Sequence, residues 1–172
     1  MQEVIHPSTL IHLLLVGLYV WGLFLIAKNV DAAVPTPGAF SEADTTILKE
    51  ADGLLAKTRE AYDDQAFNRA LEGIWEVISS ANRYIDDQAP WALRKTDPKR
   101  MATVLYTLLD VIRYLAILMQ PVVPGSANTM LDQLGVGPDA RDFIHLTAEH
   151  RVAPGTPLPK PAPIFPRHVA AE

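Results

Sequence analysis

An all-α fold, an antiparallel helix bundle of about four or five helices, is what this sequence predicts. Three observations carry that expectation. Apolar residues recur at three- and four-residue spacing through several long stretches, helix-start signals precede those stretches and proline or glycine follows them, and nowhere do apolar and polar residues alternate long enough for a strand. Hydrophobic residues make up 49% of the 172 and charged residues 20%, enough for a packed core in one domain of ordinary size.

In chain order, the first element is an apolar run from Leu10 to Ala27 that only His12 interrupts. Its length sits at the lower edge of a membrane span. A cleaved secretory signal fits poorly, because the leader carries Glu3 and no cation, and Asp31 stands where a small residue is wanted. Two readings remain open: a transmembrane anchor, with Lys28 holding the remainder in the cytosol, or a buried helix of the bundle. Pro35 to Phe40 then break any helix. Ser41 caps the next one, with Asp44 giving an acidic first turn, and Ile47, Ala51, Leu54, Leu55 and Tyr62 form its apolar face. After Asp63-Asp64 a third helix is predicted, with Phe67, Leu71, Ile74, Ile78, Ala81 and Ile85 on one stripe and Trp75 packing beside it. Pro90 ends it, leaving Trp91 on a loop.

Asp97-Pro98 is an N-cap followed by proline at the first helical position, where a missing N–H does no harm. The helix it opens is expected to run to about Gln120, with Met101, Val104, Leu105, Leu108, Ile112, Leu115 and Leu118 as its core stripe, until Pro121 stops it. Arg113 lies at the boundary of that stripe and is expected to pair with Asp110 or Glu76. Pro124 and Ser126 start a shorter helix closed by a glycine cap at Gly135, and a turn of helix is plausible around Pro138 to Phe143. Prolines crowd residues 154 to 166, so this tail is expected to lie extended across the bundle.

Composition excludes several chemistries. There is no cysteine, hence no disulfide, thiolate zinc site or cysteine nucleophile. The formal charge of -5 leaves no global positive field for nucleic acid or an anionic membrane, so any such contact must be local. His6, His12, His145, His150 and His168 offer at most the loose pair His145 and His150 and read as surface residues. Gly135-Val136-Gly137 follows a helix and reads as a cap rather than a nucleotide loop, and Asp86-Asp87 reads as solvated. No catalytic residue, metal site or cofactor is expected.

Residues 82 to 100 differ in kind. Trp91 follows Pro90 and is succeeded by Arg94, Lys95, Lys99 and Arg100, with Asp97 among them. A tryptophan beside clustered cations is a stacking platform with phosphate-attracting neighbours, as used to hold single-stranded nucleic acid. The alternative is a tryptophan plugging the end of the core above a solvated helix start, and composition alone favours it.

At these residues a resemblance enters. Ala81-Asn82-Arg83-Tyr84-Ile85 followed by Gln88-Ala89-Pro90-Trp91 resembles the signature of the anticodon-binding domain on the C-terminal side of methionyl-tRNA synthetase. Ile26-Ala27-Lys28-Asn29, Phe67-Asn68-Arg69-Ala70-Leu71-Glu72, Leu118-Met119-Gln120-Pro121-Val122-Val123-Pro124 and Ile164-Phe165-Pro166-Arg167 match in order and spacing, covering about residues 26 to 168. The resemblance implies an all-helical bundle that reads the methionine anticodon in the cytoplasm, with Pro90 shaping the turn and Trp91 stacking on a base. Beside them, charge and proximity make Arg94, Lys95, Lys99 and Arg100 phosphate contacts. The family's Asn-Leu-x-x-Arg element has no counterpart: Gly17 and Trp21 stand in that register, and neither side chain can offer the hydrogen bonds of the family's Asn and Arg. The family's HIGH-type and KMSKS-type elements and its cysteine-bound zinc knob are absent from these residues.

The expected organisation is an atypical apolar helix at 1–25, a helical anticodon-binding domain at 26–150 and a proline-rich tail at 151–172. The expected function is a non-catalytic module binding the anticodon region of methionine tRNA, with a separate catalytic synthetase domain as a further partner. A detached portion with a replaced beginning, as a truncated or frameshifted gene would produce, is the expected origin. The rival readings are a helical domain anchored in a membrane through Leu10 to Ala27, or serving another interaction, with no RNA role, and a non-functional gene fragment.

Overall fold

The computed structural model describes residues 33–160 and Ile164. The apolar run Leu10 to Ala27, the block Ile26 to Asn29, the positions Gly17 and Trp21 and the end of the tail from Phe165 lie outside the described residues. Six α-helices are described: α1 (Glu42–Asp52), α2 (Leu54–Asp63), α3 (Phe67–Gln88), α4 (Pro90–Thr96), α5 (Pro98–Met119) and α6 (Pro124–Gln133). Three single 3-10 turns follow at Pro138–Ala140, Phe143–His145 and Ala148–His150. The all-α bundle is as expected.

α5 is the axis. Asp97 caps it by accepting from the Arg100 N–H at 2.9 Å, and Pro98 occupies its first turn. From Thr103 to Met119 every residue is buried, so the expected stripe widens to the whole circumference. α1, α3, α4 and α6 all pack on it. Among the described residues it is the one helix long and apolar enough to cross a membrane, and 94% of its most apolar window is buried within the bundle. It is a core helix.

Three expected elements differ. The helix expected from Ser41 to Tyr62 is divided at Gly53 into α1 and α2. In α3 the buried face is Ala70, Ile74, Val77, Ile78, Ala81, Tyr84 and Ile85. Phe67, the first residue of α3, is instead 56% exposed, meeting the Tyr62 ring edge-on. Pro90 does not lead into a loop: it is the first residue of α4, which carries Trp91 on its opening turn.

The C-terminal segment straps the bundle. Gly135, at φ 71°, closes α6 as expected, with Val136 N–H reaching Leu131 O at 2.9 Å and Gly135 N–H reaching Asp132 O at 3.1 Å. Ala33 and Pro157 then form an antiparallel bridge, supported by Val34 N–H to Thr156 O at 2.9 Å and Gly155 N–H to Val34 O at 2.8 Å. Val152 and Leu158 bury their side chains, and between them the chain turns rather than running extended, with Thr156 N–H reaching Ala153 O at 3.1 Å and Gly155 at φ 83°.

Candidate nucleic-acid interface

The Pro90-Trp91 turn is built by backbone geometry first. Ala89 closes α3 and opens α4 in the left-handed region, at φ 42° and ψ 59°. A residue with a Cβ rarely sits there, and the residue before a proline is further restricted. Ala89 N–H reaches Ile85 O at 3.0 Å, and Ala89 O accepts from Ala92 N–H at 2.8 Å. The chain thus ends one helix and starts another at a single residue, and Pro90, buried, needs no N–H partner at the new N-terminus. Leu93, on the same short helix, packs against the core.

Trp91 is 43% exposed. The reading of this residue as a plug in the end of the core is therefore overturned: the residue filling the corner is Pro90, and α4 turns Trp91 outward on its first turn. Arg94 and Lys95 on α4, and Lys99 at the start of α5, are all exposed. With Trp91, these side chains all lie on α4 and the first turn of α5.

Arg100 is a different case. Charge and proximity in the sequence place it among the phosphate contacts, but its guanidinium is engaged inside the fold. It makes two bonds to the Asp44 carboxylate, the Nη2–Oδ1 one at 2.8 Å. Nη2 also donates to Ser41 Oγ at 3.1 Å and to Gln88 Oε1 at 2.5 Å. Asp44 is fully buried; it accepts in addition from the Ser41 N–H at 2.7 Å and from the Tyr84 hydroxyl. Burial alone would raise its pKa, but bonding from Arg100, Tyr84 and Ser41 outweighs this and holds it at about 2. Burial, and then the bond to Asp44, push the Tyr84 hydroxyl well above its ordinary value. The pair is thus locked as carboxylate and guanidinium, and the cation is neutralised where it stands.

Ser41 and Asp44 form the capping box that the sequence signals. The same carboxylate also anchors α3 and α5. The residues it meets across the bundle, Tyr84 and Arg100, are 40 and 56 positions away in sequence, so no local spacing signals the meeting.

A groove beside the turn, about 580 Å³, runs between α1 and α3 and is bordered by Glu42, Glu50, Arg83 and Asp87. Its three carboxylates against one guanidinium oppose a phosphate backbone. Asp86 and Asp87 are exposed, as expected.

A second ionic cluster holds the strap. Arg113, 1% exposed, pairs through Nε with Asp110 at 2.8 Å and donates to the carbonyls of His145 at 2.8 Å and Thr147 at 3.4 Å. Arg151 meets the other Asp110 oxygen at 2.8 Å. Asp110, rather than the exposed Glu76, is the partner of Arg113. The rings of His145 and His150 meet edge-on at 4.8 Å; His145 is half-buried, not at the surface as expected, and His150 is exposed. Among the described residues no group of three potential ligands is gathered for a metal.

Comparison with known proteins matches residues 34–170 to the family model described as the anticodon binding domain of methionyl tRNA ligase. The methionine–tRNA ligase of Brucella suis biovar 1 (strain 1330) is 52% identical over 150 residues, covering 87% of this chain and 29% of that protein. That of Mycobacterium leprae (strain TN) is 47% identical over 154 residues, with 87% and 28% covered. Among solved structures, the apo methionyl-tRNA synthetase of Mycobacterium tuberculosis superposes with a TM-score of 0.89 at 42% identity, covering 95% of this chain and 34% of that one. The same organism's enzyme bound by methionyl-adenylate gives 0.88 at 43% identity, with 92% and 32% covered. The chain spans about 29% of the length of the curated relatives it matches.

Proposed function

The chain belongs to the family of anticodon-binding domains of methionyl-tRNA ligase, and from that premise we propose that it binds the anticodon region of methionine tRNA without catalysing aminoacylation itself. The observation that carries the reading is Trp91, 43% exposed at the head of α4 and followed by exposed Arg94, Lys95 and Lys99. An exposed indole gives a face on which an unstacked anticodon base lies, and the three cations attract the phosphates flanking it. The acidic groove between α1 and α3 supports a backbone path on the α4 side of Trp91. Pro90 holds the turn by filling the corner beneath it. Arg100 serves from inside, through Asp44 and Gln88, rather than on a phosphate.

In this reading the RNA-binding unit is the helical domain of 26–150, the proline-rich tail of 151–172 follows it, with residues 151–160 strapping the bundle, and the place of action is the cytoplasm. A catalytic synthetase domain is the proposed protein partner, since the relatives carry more than twice the length matched here. Gly17 and Trp21 in place of the family's Asn and Arg leave stacking and charge to carry most of the affinity, so discrimination among anticodons is weak.

Anisotropy titration of a methionine tRNA anticodon stem–loop, beside an anticodon-swapped control, tests the proposal. Trp91→Ala is expected to weaken binding by about ten- to a hundredfold, the value of about one stacked base. Equal affinity of wild type and Trp91→Ala, or no binding by wild type at low salt, refutes it.

A further inference from the structure

We propose that Arg100 and Gln88 form a positioning clamp that sets the orientation of Trp91, an inference that rests on the anticodon-binding reading and assigns its platform a second layer. The segment carrying Trp91, Arg94, Lys95 and Lys99 lies between Gln88, the last residue of α3, and Arg100, on the first turn of α5. A hydrogen bond at 2.5 Å from Arg100 Nη2 to Gln88 Oε1 ties those two ends together. The next residue after Gln88 is Ala89, in the left-handed conformation at φ 42°. Such a backbone persists in a residue with a Cβ only where its surroundings impose it.

Arg100 is suited to imposing it, because its own position is fixed from three directions. Its N–H is held by Asp97 at 2.9 Å, its Nη2 by Asp44 Oδ1 at 2.8 Å and by Ser41 Oγ at 3.1 Å. The planar guanidinium addresses the carboxylate and the amide oxygen together. A lysine ammonium is a point donor on a flexible stem and cannot hold both with the same geometry. Gln88 is the outermost member of the network and the one adjoining the turn, so its loss frees the turn while leaving the Asp44–Arg100 pair intact.

The experiment compares Gln88→Leu and Arg100→Lys with Lys95→Gln, in the full chain carrying Trp21→Phe and Trp75→Phe so that Trp91 is the sole tryptophan. Two readouts are taken: anticodon stem–loop affinity against salt, and acrylamide quenching of Trp91 in the free protein. Both clamp variants are expected to alter the quenching and to weaken binding about tenfold, with the salt slope unchanged because no phosphate contact is lost. Lys95→Gln is expected to lower the slope by about 0.7 and leave the quenching as it was. Gln88→Leu, which leaves the buried pair in place, is expected to stay folded and to melt above Asp44→Asn, so its effect is separable from unfolding.

Wild-type quenching in Gln88→Leu overturns the clamp, as does an Arg100→Lys variant that binds and quenches like wild type. A reduced salt slope in Gln88→Leu does so too. Should the parent bind no RNA, the anticodon reading fails while the quenching comparison still decides the clamp.

Discussion

Replacing Asp44 by asparagine removes the charge on which α1, α3 and α5 converge. The carboxylate is fully buried and accepts from Ser41, Tyr84 and both terminal nitrogens of Arg100. An amide supplies one oxygen and turns two donors toward a guanidinium that is itself only a donor. Breaking a buried ion pair costs about 3–5 kcal/mol. The Arg100 side chain keeps 20% of its surface in water, which lets it rehydrate in part and points to the lower end, about 3 kcal/mol. Proton linkage gives an independent figure: a carboxyl lowered from 3.8 to about 2 contributes about 2 kcal/mol to stability. Because the folded value is depressed, that contribution is complete above the unfolded value and disappears as the pH falls through 3.8 toward 2. Thermal melts by far-UV circular dichroism check both parts. At neutral pH Asp44→Asn should melt about 6–12 °C below wild type, taking about 2–4 °C per kcal/mol for a chain of this length. Near pH 2 the gap should narrow by more than half. An unchanged midpoint at neutral pH, or a gap that does not narrow in acid, would refute the account of Asp44 as an ionised anchor.

Two further substitutions test the strap. Gly135→Ala puts a Cβ on a residue at φ +71°, 3.0 Å from Thr156 Cγ2 and 3.3 Å from Pro157 O; the left-handed backbone alone costs about 1–2 kcal/mol, so the melting midpoint should fall by about 2–8 °C, and no change would mean that α6 ends without it. Arg113→Leu orphans the carbonyls of His145 and Thr147 while Asp110 keeps Arg151. Hydrogen exchange around residues 145 to 151 should accelerate well before α5 opens, and uniform loss of protection over both would show that the strap is not a separate unit.

Local chemistry made much of the architecture legible. Asp97-Pro98, Ser41 with Asp44, and Gly135 each act within a few residues of themselves, so their roles could be read from neighbours in the chain. The α3 stripe differs most at its first turn, where Phe67 has the right spacing but meets Tyr62 of α2 edge-on and stays more than half exposed. α4 was missed because a proline after a long helix reads as an end, and only the left-handed Ala89 makes it a beginning as well. The candidate interface was half legible: Trp91 and the run of cations are visible as letters, whereas exposure is not. Charge alone made Arg100 equal to Lys99.

Periodicity, punctuation and family resemblance are legible in the sequence, because they depend on residues close together or on patterns shared along the chain. The all-helical class, the start and stop of α5, and the methionyl-tRNA ligase family follow from them. Which polar groups meet depends on how the helices pack. Asp44, Tyr84, Gln88 and Arg100 come from three helices, and a buried carboxylate selects its partners by enclosure: once removed from water it requires a cation and hydrogen-bond donors, and only the packing of α1, α3 and α5 brings them to it. The same packing turned one cation of the expected cluster inward and left Trp91, Arg94, Lys95 and Lys99 on the outside.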